Sequence, residues 1–194
     1  MRRALPLRRV TRARLRAAGF SLIEVLVAMF VVAMGILALA GLLQASTRYS
    51  KMSELRSTAT LLANDVADRI RANPVGGELG AGGYDLTDKA FPSPVAAAHA
   101  PCTSDTPCGP ADLAGVDMAE WTARVHATLP KGSGWVQFHA GKAPAPDYVD
   151  VWVGWADPLT LAPGVSVDGS GTECPDGWKK AEPSVRCVYL QVAL

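Results

Sequence analysis

Between Val25 and Leu43 the chain runs for 19 residues without a charged side chain, and no other feature restricts its possible folds as strongly. A run above about 18 apolar residues is long enough to cross a bilayer as a helix. Ahead of it, Met1 to Gly19 holds seven arginines and no acid. Cationic residues stay on the cytoplasmic side of a membrane helix, so the chain after about Gln44 is expected outside the cytoplasm. A conventional secretory signal is the first competitor, because Ala38-Leu39-Ala40 resembles a small-residue cleavage site. The apolar run exceeds the 7 to 15 residues usual for such a signal. An acid, Glu24, also opens it, and the helical pattern continues past the supposed cut.

Glu24 is the informative residue. A carboxylate within a membrane helix costs on the order of 2.5–3.5 kcal/mol and usually has a functional partner; an interfacial acid favoured by the helix dipole is the simpler alternative. Gly19-Phe20-Ser21-Leu22-Ile23-Glu24-Val25-Leu26 resembles the type IV pilin signature, in which a dedicated prepilin peptidase cuts after the glycine. The resemblance implies a leader of residues 1–19, an N-methylated Phe20 as first mature residue, and an ion pair between Glu24 and the Phe20 amine of a neighbouring subunit.

After Gln44 the chain turns polar but keeps helical spacing, with Leu55, Ala59, Leu62, Val66 and Ile70 on one face. Pro74 disfavours helix in the residue before it, so the helix is expected to end near Asn73. From Phe20 that is a helix of 54 residues, about 80 Å long at roughly 1.5 Å per residue. Residues 20–44 form its transmembrane half and 45–74 its amphipathic half. Gly35 and Gly41 read as close-packing or tolerated membrane glycines. The ending Ala67-Asp68-Arg69-Ile70-Arg71-Ala72-Asn73-Pro74, together with Arg56-Ser57-Thr58-Ala59, resembles the PilV group of minor pilins, the type IV pilus modification proteins. Arg69 and Arg71 also suit a helix C-terminus on electrostatic grounds alone.

Residues 75–194 read as a globular head outside the cytoplasm. Val75 to Gly115 is rich in Gly, Pro, Ala and Asp and reads as a long irregular connection with one turn near Thr103 to Gly109. Asp112 to Leu129 has helical spacing with Asp112 as N-cap, although Trp121, Ala123, Val125, Ala127 and Leu129 also fit strand alternation. Strands are expected at Trp135 to Ala140, Tyr148 to Trp155 and Val188 to Leu194, with a Gly- and Pro-rich loop over Asp157 to Arg186. The fold class is therefore α+β, with three or four antiparallel strands on the amphipathic half of the helix. The resemblance implies the same type IV pilin fold.

Four cysteines in an exported chain argue for disulfides. Three connectivities exist, and local pairing of Cys102 with Cys108 and of Cys174 with Cys187 is expected. The resemblance makes the region bounded by the second pair an exposed variable surface. Within it Trp178 reads as buried beneath the loop, with Lys179 and Lys180 beside it. His99, Cys102 and Cys108 lack a fourth zinc ligand, and Asp147, Asp150 and Asp157 lack the spacing of a calcium loop, so no metal is expected. His99, His126 and His139 have no nucleophile motif beside them, and Gly80-Ala81-Gly82-Gly83 has neither the strand nor the helix of a phosphate loop. Neither catalysis nor a cofactor is expected. From Val75 onward the chain has 7 basic and 14 acidic residues, which excludes phosphate-driven nucleic-acid binding.

The function implied by the resemblance is a minor pilin that primes or modifies type IV pilus assembly. It would sit in the inner membrane with its head in the periplasm and later in the pilus or at its tip. Its partners would be the prepilin peptidase, other minor pilins and the major pilin. A minor pseudopilin of a type II secretion system shares the same signature, and a membrane-anchored adhesin or binding protein with an uncut N-terminus is the alternative from another class.

Overall fold

The computed structural model describes residues 19–142, 144–157, 174–182 and 184–194. The leader before Gly19 and most of the loop after Asp157 lie outside the described residues. The chain divides into two compact units, one up to Ser46 and one from Thr47 to Leu194.

One helix, α1 (Leu22–Ala72), has 51 residues and contributes to both units. It starts two residues later than the pattern implies, because Ser21 serves as its cap, and it ends one residue before Asn73. In the first unit its apolar side chains are exposed all round, including Phe30 at 62% and Leu37 at 72%. In the second unit the expected stripe is buried: Leu55, Ala59, Leu62, Val66 and Ile70 are each 5% exposed or less.

The head follows as α2 (Pro74–Glu78), a single 3-10 turn at Gly80–Gly82, α3 (Pro110–Thr128), β1 (Ser133–His139), β2 (Tyr148–Ala156), α4 (Asp176–Ala181) and β3 (Val185–Ala193). The three strands form one antiparallel sheet in the order β1-β2-β3. With the long helix this is an α+β fold consistent with the type IV pilin architecture.

Strand alternation divides the sheet into two unlike faces. Val136, Val149, Val151, Val153 and Val192 join the α1 stripe and the α3 residues Met118, Trp121 and Val125 in the main core. Trp121 fixes α3 to α1, its indole N–H donating to the Leu62 carbonyl at 2.8 Å. A Cβ on Gly134 would lie 2.4 Å from the Trp121 ring, so β1 needs glycine there. On the opposite face Trp178 packs with Phe91 and Trp135 in a second, smaller core. A Cβ on Gly154 would meet Trp178 at 2.6 Å. Each face thus seats one tryptophan over one glycine.

Three expectations change. The connection after Pro74 is not irregular throughout: α2 forms at once, with the Asn73 carboxamide accepting the Gly76 N–H at 3.2 Å. Further on, the connection is tied to the sheet by paired bonds between Leu86 and Val136 and to α3 by Ala96 N–H donating to Thr122 Oγ1. Second, α3 starts at Pro110 with Gly109 as cap; Asp112 stands three residues inside, its carboxylate accepting the Gly109 N–H at 3.3 Å. Pro110 suits the first helical position, where no N–H is needed. Third, Trp178 is buried as expected, and it is carried by a short helix, α4, where the sequence reads as irregular loop.

Ile70 is fully buried in the main core. Ile70→Ala should lower the stability of the chain by roughly 2–5 kcal/mol, read as a reduced urea midpoint. A loss well under 1 kcal/mol would mean that the stripe does not hold the head.

Candidate functional site

The first candidate site is the start of α1. Gly19, Phe20 and Ser21 precede the helix and are exposed, Phe20 at 81%. Ser21 ends the non-helical segment: its hydroxyl accepts the Ile23 N–H at 3.4 Å, and its carbonyl accepts those of Glu24 and Val25 at 3.0 and 3.2 Å. A serine cap satisfies helix N–H groups that otherwise have no partner. The Gly19–Phe20 peptide therefore stands outside the helical hydrogen-bond ladder. Glu24 lies in the first turn of α1, where the helix dipole favours an anion. Phe20, Glu24, Ala28, Val32 and Ile36 follow one another at four-residue spacing along one side. Among the described residues the Glu24 carboxylate has no hydrogen-bond or ionic partner. It is an acid placed beside an apolar surface.

The second unit carries a charged seam. The Arg69 guanidinium meets Asp117 at 2.8 Å, Glu120 at 3.2 Å and Asp65 at 3.5 Å, and Arg124 reaches Asp65 from α3 at 3.1 Å. Burial disfavours the Arg69 charge, but the bonds to Asp117 and Glu120 and the surrounding acids outweigh it, so its pKa is raised. Tyr84, 1% exposed, donates its hydroxyl to the other Asp117 oxygen at 2.6 Å. Asn73 donates to the Pro110 carbonyl at 2.8 Å and to the Tyr84 oxygen at 3.4 Å. The ending Asp68 to Pro74 thus has a local physical role: Arg69 and Asn73 dock the end of α1 onto α3. Arg71, by contrast, pairs with Asp68 on the surface, where an ion pair contributes little.

Cys102 and Cys108 are joined, as are Cys174 and Cys187, each with Cα atoms 5.3 Å apart. The first bond closes an exposed loop; the second is buried and ties the segment leading into α4 to β3. The three candidate aspartates have separate partners. Asp147 accepts the Gly141 N–H, Asp150 the Tyr189 hydroxyl, and Asp157 pairs with Arg186. Among the described residues no group of His, Cys, Asp and Glu is arranged to hold a metal ion. His99 packs beside Gly115, and His139 stacks on Tyr148.

Residues 14–40 match the family model of the prokaryotic N-terminal methylation motif. The chain thus carries a type IV pilin-like prepilin signal, and the matched segment spans Gly19, Phe20 and Glu24. Such a signal implies processing by a prepilin peptidase and assembly with other pilins. It supports a pilin- or pseudopilin-like structural subunit anchored through its apolar N-terminal helix. Neither the curated proteins nor the solved structures give a significant match.

Tyr84 makes the seam sensitive to alkali. Burial, reinforced by its bond to Asp117, raises its pKa well above the ordinary value of 10.0. In the unfolded chain Tyr84 ionises near pH 10, while in the fold it stays neutral. Its contribution is complete below pH 10 and is lost as pH rises through the folded value. Thermal melts between pH 9 and 12 should show a steep fall that Tyr84→Phe makes shallower, at a cost of about 1.5–3 kcal/mol at neutral pH. An unchanged alkaline slope in Tyr84→Phe would contradict this.

Proposed function

We propose that this chain is a minor pilin of the PilV type, a structural subunit that primes or modifies type IV pilus assembly. The observation that carries the reading is the junction of an exposed, non-helical Gly19–Phe20 peptide with Glu24, which has no partner among the described residues and stands one turn into an apolar helix. The prepilin peptidase cuts after Gly19, freeing a cationic amine on Phe20 that is then methylated. The exposed apolar surface of α1 is held in the inner membrane before assembly and among sister helices after it, with the head in the periplasm.

Within the filament Glu24 of one subunit pairs with the Phe20 amine of the next. In an apolar setting such a pair is costly to leave half-made, so it selects one axial register over its neighbours. The Arg69 to Pro74 ending supports the narrower PilV reading. The remainder of the head is scaffold: three strands and the helices α2, α3 and α4, which hold a surface at the filament or its tip.

Glu24→Ala should leave membrane insertion and leader cleavage intact and reduce incorporation into sheared pili at least about tenfold, a factor equivalent to roughly 1.4 kcal/mol. Immunoblots of the sheared and membrane fractions measure it, and undiminished incorporation would remove the role given to Glu24. A pseudopilin is distinguished by deletion of the gene: normal surface pili with retained exoproteins would move the chain to a secretion system.

A further inference from the structure

The outer face of the sheet carries an arrangement that filament assembly does not account for. Register places Trp135 opposite Trp152 and Trp152 opposite Tyr189, so three aromatic rings lie side by side across all three strands. Trp152 and Tyr189 have centroids 5.0 Å apart at an interplanar angle of 35°, and Trp135 stands edge-on to Trp152 at 6.4 Å. The next row on the same face, about 7 Å along the strands, is Gln137, Asp150 and Gln191. Beyond it His139 stacks on Tyr148, 4.8 Å between centroids. Tyr189 is 42% exposed, Gln191 is exposed, and Trp135, Trp152, Gln137 and Tyr148 are half-buried.

The chemistry of these rows is selective. They contain no lysine or arginine, so they offer no fixed cation for a phosphate. The single acid is already engaged: Asp150 Oδ1 accepts the Tyr189 hydroxyl at 2.7 Å and the Gln191 amide at 3.4 Å. His139 Nε2 lies 3.1 Å from Asp150 Oδ2 without a hydrogen-bonding angle. A carboxylate held in this way fixes the Tyr189 ring and the Gln191 amide, and it has little left to attract a cation. Gln137 Oε1 accepts the Trp135 indole N–H at 3.4 Å; an apolar partner would bury the remaining hydrogen-bonding capacity of the Gln137 and Gln191 carboxamides without satisfying it, a cost of the usual kind for polar groups. Among the described residues the Trp152 indole N–H and the Tyr148 hydroxyl have no hydrogen-bond partner.

A neutral saccharide meets each of these conditions. Its axial C–H groups stack on aromatic faces, and its hydroxyls bond to carboxamides, indole N–H and phenol. Uncharged rings remove any need for a cationic or anionic partner on the face. Recognition sites of this kind combine aromatic walls with a few placed polar groups. We propose that the outer sheet face of the head, centred on Trp152 and Tyr189, binds neutral oligosaccharide.

The test uses the full-length chain in a polyoxyethylene detergent, which has no sugar headgroup. Calorimetric titration with cellohexaose, chitohexaose, maltohexaose and mannohexaose should give saturable binding for at least one, with quenching or a shift of tryptophan emission. Trp152→Ala and Tyr189→Ala should each weaken that binding about tenfold or more, while Trp152→Phe restores most of it. Tyr49→Ala, which removes an exposed ring from α1, should leave it unchanged. If Trp152→Ala fails to fold, Tyr189→Ala carries the comparison, because its ring lies at the sheet edge. Absence of saturable binding to all four saccharides overturns the proposal. So does binding that survives Tyr189→Ala. Binding of choline chloride without any saccharide would make the face a cation cage and would also overturn it.

Discussion

Apolar surface that the first unit leaves uncovered is the constraint on which the rest of this chain depends. Between Leu22 and Leu43 the large side chains of α1 are exposed on every side, and each loses about 1.5–3 kcal/mol of burial when left in water. No local rearrangement of a single helix removes that cost, because a helix can turn away only one face at a time. The segment therefore needs an external apolar medium, which a bilayer or a bundle of identical helices supplies. A carboxylate at its first turn is less costly in either setting beside a cation, and the amine created by cleavage at Phe20 is the one that the proposed processing itself produces.

The second unit solves the opposite problem, that of gripping a helix firmly enough to carry a head. Its grip combines an apolar stripe with a charged seam. The stripe is dense: Ala59, Val66, Ala67 and Ile70 have no measurable exposure, and small residues at Ala59, Ala63 and Ala67 leave room for neighbouring elements. The Trp121 bond to the Leu62 carbonyl adds a directional contact within this core. The seam of Arg69 with Asp117, Tyr84 and Asn73 contributes less net stability than its bonds imply, since desolvation offsets part of the attraction. It does fix position, because a shift of α1 by one turn would part the Arg69 guanidinium from Asp117 and Glu120.

The parts legible in the sequence are those written in a period. The α1 stripe, the alternation along Tyr148 to Trp155 and the terminal strand have repeats of 3.6 or 2, and all three elements are present. The segment from Val75 to Gly109 has no repeat, since side chain to backbone bonds such as Asp85 to Phe138 and Ser93 to Ser133 hold it, and these join residues far apart in sequence. The start of α3 was obscured because its cap is a glycine, which offers no side-chain signal; α4 is only six residues long, too short for a periodic pattern. Gly19, Phe20 and Glu24 stood out because their chemistry is local. Arg69 looked like an ordinary C-terminal cation, because its partners Asp117 and Glu120 lie 48 and 51 positions away. The aromatic row became visible only once strand register set Trp135, Trp152 and Tyr189 side by side.

The central claim is that Gly19–Phe20 is a processing junction and that the helix after it belongs to an assembling subunit. Intact-mass and N-terminal peptide mass spectrometry of the chain purified from membranes, with and without an active prepilin peptidase, tests it most directly. The account predicts a mature chain beginning at Phe20 with a methylated amine, and retention of the leader when the peptidase is absent. A mature N-terminus after Ala40, or an uncut chain in the presence of active peptidase, would contradict it.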